Sequence, residues 1–269
     1  MGKYIKLFQT HSAYNTYING SGVFYPNVSY CEDNNECHYN PWVETRLVAK
    51  FNVTDTSEEI VISNGTAQFS EIEIDGVIQQ NLVSRYTFST TGEHTIKYTY
   101  IDPTIIQYGV YGGCIHMTNV IIPYGVLTIR YGAFTNCYGL TSVTIPNSVT
   151  TIGDTSDING AFKSCTGLTS ITIPNSVTTI GRSAFGDCTG LTSITIPNSV
   201  TIIYDNAFAE CNSLTSVTVE ATTPPSLWAN AFMNTNNCPI YVPSTSVDTY
   251  KAASGWSDYA SRIRPIPSA

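Results

Sequence analysis

The side chains able to carry chemistry are few and scattered. His11, His38, His94 and His116 are the four histidines, and none stands in a Gly-x-Ser-x-Gly elbow, a phosphate loop or a His-Glu-x-x-His pair. His94 opens the alternating run His94-Thr-Ile-Lys-Tyr-Thr-Tyr100, where it is expected as a surface strand residue rather than a base. His116 precedes a repeated segment and is expected to help close its end. Cys31, Cys37 and His38 are zinc-ligand types, but no second paired cluster accompanies them. The two cysteines flank Glu32-Asp-Asn-Asn-Glu36, so a bridge across a small loop and a pair of free thiols are both open readings. Asp154-Thr-Ser-Asp-Ile-Asn-Gly160 offers oxygen donors and a final glycine. It lacks the alternating ligands and bidentate Glu of a calcium loop, and a solvated loop is expected. Carboxylate pairs for glycoside hydrolysis would have to come from loops. The expectation is a chain without catalytic residues, cofactor or metal, with a hydrolase as the remotest reading.

Hydroxyls, by contrast, recur in step. Ser142/Thr144, Ser170/Thr172, Ser193/Thr195 and Ser216/Thr218 form a ladder that keeps an exposed sheet soluble and also offers a flat, uncharged docking surface. Tyr204, Trp228 and the Tyr-rich N-terminal segment are the aromatic anchors available to such a surface. What positions them is a 23-residue unit, plainest at Leu168-Thr-Ser-Ile-Thr-Ile-Pro-Asn-Ser-Val-Thr-Thr-Ile-Gly-Arg-Ser-Ala-Phe-Gly-Asp-Cys-Thr-Gly190. Units start at Met117, Leu140, Leu168, Leu191 and Leu214, in steps of 23, 28, 23 and 23. The long step carries the insert 154–160. Ala133-Phe134, Ala161-Phe162, Ala184-Phe185, Ala207-Phe208 and Ala231-Phe232 keep step to within a residue, and a cysteine ladder of Cys114, Cys137, Cys165, Cys188, Cys211 and Cys238 runs alongside them.

A fixed period of this length means a solenoid whose units bury their apolar faces against their neighbours. Ile194 and Ile196 alternate with Ser193 and Thr195, as in a half-buried strand. Pro197-Asn-Ser199 turns the chain, and Val200 to Ile203 makes a second extended edge. Ala207-Phe208 to Cys211 is expected as a short helix or 3₁₀ turn. The ladder cysteines follow the repeat rather than any bridging logic, and are expected as buried free thiols.

The pattern Leu-x-x-Ile-x-Ile with a later Ala-Phe-x-x-Cys resembles the BspA-like class of bacterial leucine-rich repeats, most clearly from Tyr111 to Val219. The resemblance implies a mainly β, right-handed leucine-rich-repeat solenoid with a parallel sheet and short helical or 3₁₀ turns. It also implies surface adhesion, at the cell surface or after secretion; residues 1–11 lack the apolar run and cleavage site of a signal peptide. The stretch from Cys238 to Tyr259 resembles the cap that ends such arrays. Ser246-Val-Asp-Thr-Tyr-Lys-Ala-Ala253 is expected as a short helix, with Trp256 and Tyr259 over the last rung. Pro26 to Pro41 resembles an N-terminal segment of proteins from anaerobic gut bacteria.

Between Thr45 and Tyr100 the pattern is of short alternating strands, with Asp75-Gly76 as a two-residue hairpin turn. This stretch is similar to the small antiparallel β-sandwiches that precede BspA-like arrays. The expected division is 1–42, a Tyr/Asn-rich segment; 43–103, the sandwich; 104–243, the solenoid; and 244–269, the cap. With 42% hydrophobic residues the chain can build a core, and its net charge of −8 with only 12% charged residues argues against nucleic acid or anionic membrane as partner. No apolar run approaches a membrane span. The leading expectation is a non-enzymatic binding or adhesion module for a protein or glycan. The alternative is a structural part of a larger bacterial or phage-derived assembly.

Overall fold

The structure is a computed structural model that describes residues 28–31, 37–39, 46–155 and 158–267. Two compact units divide the chain at Arg46 and Leu47. In the first, β1 (Val28–Cys31) and β2 (Cys37–Tyr39) pair antiparallel with Cys31 opposite Cys37. The side chains of Cys31, Cys37 and His38, and the whole of His11, lie outside the described residues.

The second unit begins with β3 (Leu47–Val53), β4 (Ile60–Val61), β5 (Phe69–Ile74), β6 (Val77–Ile78), β7 (Arg85–Tyr86) and β8 (Gly92–Tyr100). Strand alternation turns Leu47, Ala49, Phe51 and Val53 inward with Phe69, Ile72, Ile74, Ile96 and Tyr98. Asp75 and Gly76, at φ 48 and 83, make the expected hairpin turn between β5 and β6. His94 shares the phase of Ile96 and Tyr98 and is buried, which corrects the expectation of a surface residue.

Past Asp102-Pro103 the repeats begin with β9 (Ile105–Ile106), β10 (Met117–Ile121), β11 (Thr128–Ile129), β12 (Ser142–Thr144) and β13 (Thr151–Ile152). They continue with β14 (Thr179–Ile180), β15 (Ser193–Ile196), β16 (Ile202–Ile203), β17 (Ser216–Val219), β18 (Ser226–Leu227) and β19 (Ile240–Val242). β3 pairs antiparallel with β10, Phe51 against Met117 and Ala49 against Val120, and β10 pairs parallel with β12. One six-stranded sheet therefore runs β12-β10-β3-β8-β5-β6. The strands of segment 43–103 pass without a break into the first rung, and the expected boundary at Asp102-Pro103 falls inside one compact unit. An array edge exposes unpaired N–H and C=O groups, and β3 covers that edge at the first rung.

Each repeat contributes two strand edges. Short Thr-Ile edges stack as β9-β11-β13-β14-β16-β18, all parallel. Longer ones stack as β15-β17-β19, with Ile194 on Val217 and Ile196 on Val219. The rung 170–173 buries Ile171 and Ile173 like its neighbours but is not hydrogen-bonded as a strand, so this column is split beside the insert. The Ala-Phe segment keeps 3₁₀-type bonds only on alternate residues: Ala207, Ala209 and Cys211 donate to Tyr204, Asn206 and Phe208. The N–H groups between them, on Asn206, Phe208 and Glu210, donate instead to Ala229, Ala231 and Met233 of the next rung. That alternation needs left-handed backbone at Asn206 and Glu210, φ 56 and 63, and at Asp187, φ 58. Asn and Asp tolerate this region better than most residues.

The Phe of every rung sits on the Phe of the last. Tyr111, Phe134, Phe162, Phe185, Phe208 and Phe232 stack with centroids 5.0–5.6 Å apart and planes within 14°. Phe69 and Tyr98 meet the first ring, Trp256 the last. The C-terminal segment holds a 3₁₀ turn (Ser244–Ser246), α1 (Val247–Ala252), a second 3₁₀ stretch (Ser257–Arg262) and β20 (Ile263–Pro265), which pairs parallel with β19. Trp256 is buried and donates its indole N–H to the Pro225 carbonyl, while Tyr250 donates to Ala221. Arg262 donates to the carbonyls of Cys238 and Phe232 and to the Thr235 hydroxyl.

Phe185→Ala is expected to cost about 3–5 kcal/mol, against less than about 0.5 kcal/mol for the exposed Thr195→Ala; equal shifts in a denaturant titration would refute the inward and outward assignment. Trp256→Ala should cost about 3–5 kcal/mol and, by baring the Phe232 rung, raise the light scattering of the full-length variant. A variant with unchanged melting and scattering would mean that the segment is a passive tail.

Candidate binding surface

Most repeated hydroxyls are spent holding rungs together. Thr141, Thr192 and Thr215 donate to the carbonyls of Thr118, Thr169 and Thr192. Thr150, Thr178 and Thr201 donate likewise to Leu127, Thr150 and Thr178. Ser148, Ser176 and Ser199 reach Val126, Val149 and Val177. The expected ladder differs. Ser142, Thr144, Ser170, Thr172, Ser193 and Thr195 are exposed and Ser216 and Thr218 half-buried, and among the described residues no protein group bonds to their hydroxyls. Ser193 lies beside Ser216 and Thr195 beside Thr218 in the parallel register. Strand alternation has turned Ile171, Ile173, Ile194 and Ile196 inward and left this column outward.

The column continues at both ends. Thr218 is followed by Tyr241 and Arg264. In the other direction Thr144 adjoins Ile121, which is 42% exposed, and Ile121 adjoins Val48 of β3. Farther along the same sheet, Lys50 pairs with Glu93 at 2.7 Å and Lys97 with Glu73 at 3.6 Å. Tyr241 was legible in the alternation of Ile240-Tyr-Val242. The neighbours on β3 were not, because antiparallel pairing of distant segments leaves no local signal.

Tyr204 and Trp228 lie elsewhere. They follow β16 and β18, in the Thr-Ile column rather than the hydroxyl one, with rings 5.3 Å apart and Trp228 52% exposed. The anchors and the ladder are thus not brought onto one strand face. Sequence reading missed a second aromatic pair in that column, Tyr108 and Tyr131, stacked at 5.5 Å and 9°. It follows β9 and β11 two residues after the inward Ile, in the first two units, where the repeat pattern is weakest.

One cluster has the outline of a catalytic relay. His94 Nδ1 lies 2.6 Å from Asp75 Oδ2, and its Nε2 is 3.4 Å from the Thr90 hydroxyl. Nε2 is nearer, at 2.9 Å, to the Thr90 carbonyl. A carbonyl only accepts, so Nε2 carries a proton there and has no lone pair to activate the hydroxyl. The cluster pins the β5–β6 turn, where Asp75 Oδ1 also accepts from the Thr95 N–H. His116, for its part, lies 3.2 Å from Glu58 and accepts at its backbone carbonyl from Asn52, tying the first repeat to β3. No group of three or more His, Cys, Asp or Glu able to hold a metal occurs among the described residues, and Gly160 packs where any Cβ would strike the Ser183 carbonyl.

The cysteine ladder is buried and reduced at Cys114, Cys137, Cys165, Cys188 and Cys211. From Cys137 on, each Sγ donates to the carbonyl of an aromatic residue one rung back: Tyr111, Phe134, Phe162 and Phe185. Cys238 is a correction. Thr235 takes the next ladder position, three residues after Phe232, with its hydroxyl on the Phe232 carbonyl. Cys238 instead holds the place of the unit's leading Leu, its N–H donating to Thr235 as that of Leu214 does to Cys211. Burial pushes the Cys137 and Cys211 thiols up to about 12. An unfolded chain releases these protons near the ordinary value of 9.0, so stability should be full below pH 9 and fall as pH rises toward 12. An alkaline melting series with no loss above pH 9 would contradict this. Denaturation without reductant should release at least the six buried thiols to a thiol reagent, and recovery of two or fewer would refute free thiols.

The repeats match the model of the BspA type leucine rich repeat region in 6 copies, over residues 81–157 and 157–254. The chain belongs to that family. Among solved structures it is similar to a leucine rich cell surface protein from Faecalibacterium prausnitzii, at 34% identity over 51% of this chain and 35% of that one, TM-score 0.44. It is also similar to the leucine rich repeat protein of T. pallidum, at 22% identity over 60% and 78% of the two chains, TM-score 0.43. A leucine-rich repeat protein from Bacteroides ovatus is 18% identical over 69% and 70%, TM-score 0.29. The chain spans 35% of the Faecalibacterium protein's length. No curated protein matches it.

Proposed function

We propose that this chain is a non-enzymatic binding module that docks a protein or glycan partner on the outward hydroxyl column, displayed at a bacterial surface. The observation that carries the reading is the division of labour among hydroxyls. Those of Thr141, Thr150, Ser148 and their equivalents bond to the neighbouring rung, whereas Ser142, Thr144, Ser193 and Thr195 face solvent unengaged. Such a surface presents donors and acceptors at a fixed repeat with no charge to desolvate, and a partner with complementary hydrogen bonds loses little on contact. Tyr241 and Ile121 supply apolar contact at its ends. Surface display draws support from the Faecalibacterium relative, described as a cell surface protein. Buried, protonated thiols also suit an oxidising exterior, since oxidation acts on accessible thiolates.

The test is retention of the full chain on immobilised extracellular-matrix proteins and on a glycan array, alongside the double variant Ser193→Arg, Thr195→Arg. Both sites are exposed, so the variant should melt with the parent while losing at least about tenfold in affinity, or 1.4 kcal/mol. Binding that survives the double variant unchanged would remove the hydroxyl column from the function.

A further inference from the structure

A cavity of about 440 Å³ lies where the end of β8 meets the first rung, away from the hydroxyl column. That volume falls within the roughly 300–1,000 Å³ of small-molecule sites. Its wall includes Tyr108, 60% exposed, with one ring face covered by Tyr131. Ile101, likewise exposed, lines the same cavity.

Around this apolar wall the polar groups are already oriented. Asn64 donates its amide N–H to the Gly112 carbonyl and Gln68 donates to Gly65. Each amide has thereby committed one N–H, which fixes its orientation, and keeps its carbonyl oxygen as an acceptor and its second N–H as a donor. Asp102 Oδ1 accepts from both the N–H and the hydroxyl of Thr104, at 2.9 and 2.6 Å, leaving Oδ2. Those two bonds hold the Asp102 carboxyl below the usual carboxylate range, so it too is an acceptor. Gln107 adds an amide, and no Lys or Arg lines the wall. A complementary ligand carries groups that both donate and accept, as hydroxyls do, an apolar C–H face and no negative charge.

We propose that this cavity binds a single neutral pyranose unit of a glycan, its C–H face on Tyr108 and its hydroxyls donating to Asn64, Gln68 and Asp102. A sugar hydroxyl is the donor that matches fixed amide oxygens, and an analogue lacking it leaves them unpaired. One exposed ring is a platform rather than the aromatic cage that holds an ammonium group. The site goes beyond the docking surface proposed above and does not depend on it.

Saturation-transfer NMR on the full chain with the methyl glycosides of glucose, galactose, mannose and N-acetylglucosamine tests the assignment. At least one should bind with Kd of about 1 mM or tighter and show its strongest transfer at the ring-face protons. Tyr108→Ala should reduce binding at least tenfold, Gln68→Leu several-fold, and Ser193→Arg, Thr195→Arg not at all. Should Tyr108→Ala fail to fold, Gln68→Leu decides alone. No transfer from any of the four, unchanged binding in Gln68→Leu, or loss only in the hydroxyl-column variant would overturn the proposal. So would binding of Nα-acetyl-lysine methylamide in place of the sugars.

Discussion

The rest of the architecture depends on one aromatic ring per rung falling on the ring before it. Centroid spacings of 5.0–5.6 Å lie close to the roughly 4.8 Å between hydrogen-bonded strands. Ring stacking and strand pairing are therefore satisfied by a common rise. The backbone segment that carries the ring alternates bonds within a rung and to the next, so the Phe cannot drift along the chain without breaking both sets. This constraint explains why the insert 154–160 leaves the stack intact: Phe134 and Phe162 remain 5.0 Å apart with planes at 1°. The next long rung, 170–173, is the one not hydrogen-bonded as a strand.

An array built this way has two open ends, and they are closed by different means. At the first rung, β3 pairs antiparallel with β10 while Phe69 and Tyr98 pack on Tyr111. At the last, β20 adds one more parallel strand, Trp256 packs tilted on Phe232 with its indole N–H on Pro225, and Arg262 bonds to three groups of the preceding rung. Both closures continue the outward face rather than ending it. Of the two sheets that present the hydroxyls, the one holding β12 therefore extends into the ion pairs of β3 and β8, and the one holding β15 and β17 into Tyr241 and Arg264.

The same economy accounts for the lack of reactive arrangements among the described residues. Thiols repeat in number but are buried and donate to carbonyls. The His94 ring has both nitrogens engaged by oxygens. Among the described residues, the outward hydroxyls of Ser142, Thr144, Ser193 and Thr195 keep clear of such bonds.

The amino-acid sequence by itself determined the repeat, its inward Leu, Ile, Phe and Cys positions, the outward hydroxyl column and the Trp256 cap, because each is a local periodicity that strand alternation or stacking converts directly into a face. It also carried the Asp75-Gly76 turn, whose backbone demands are local. Tertiary structure alone decided the joining of β3 to β10, which pairs residues near 50 with residues near 120 through an edge that no neighbouring residue announces. It decided the phase of His94, since alternation says which residues share a face and not which face meets the core. It also replaced Cys238 by Thr235 in the thiol ladder: near the cap the spacing changes, and only the register of hydrogen bonds between rungs shows which residue fills the repeated position. Periodic local signals are written in the chain, whereas the partner of an edge and the phase of a strand are properties of what packs against them.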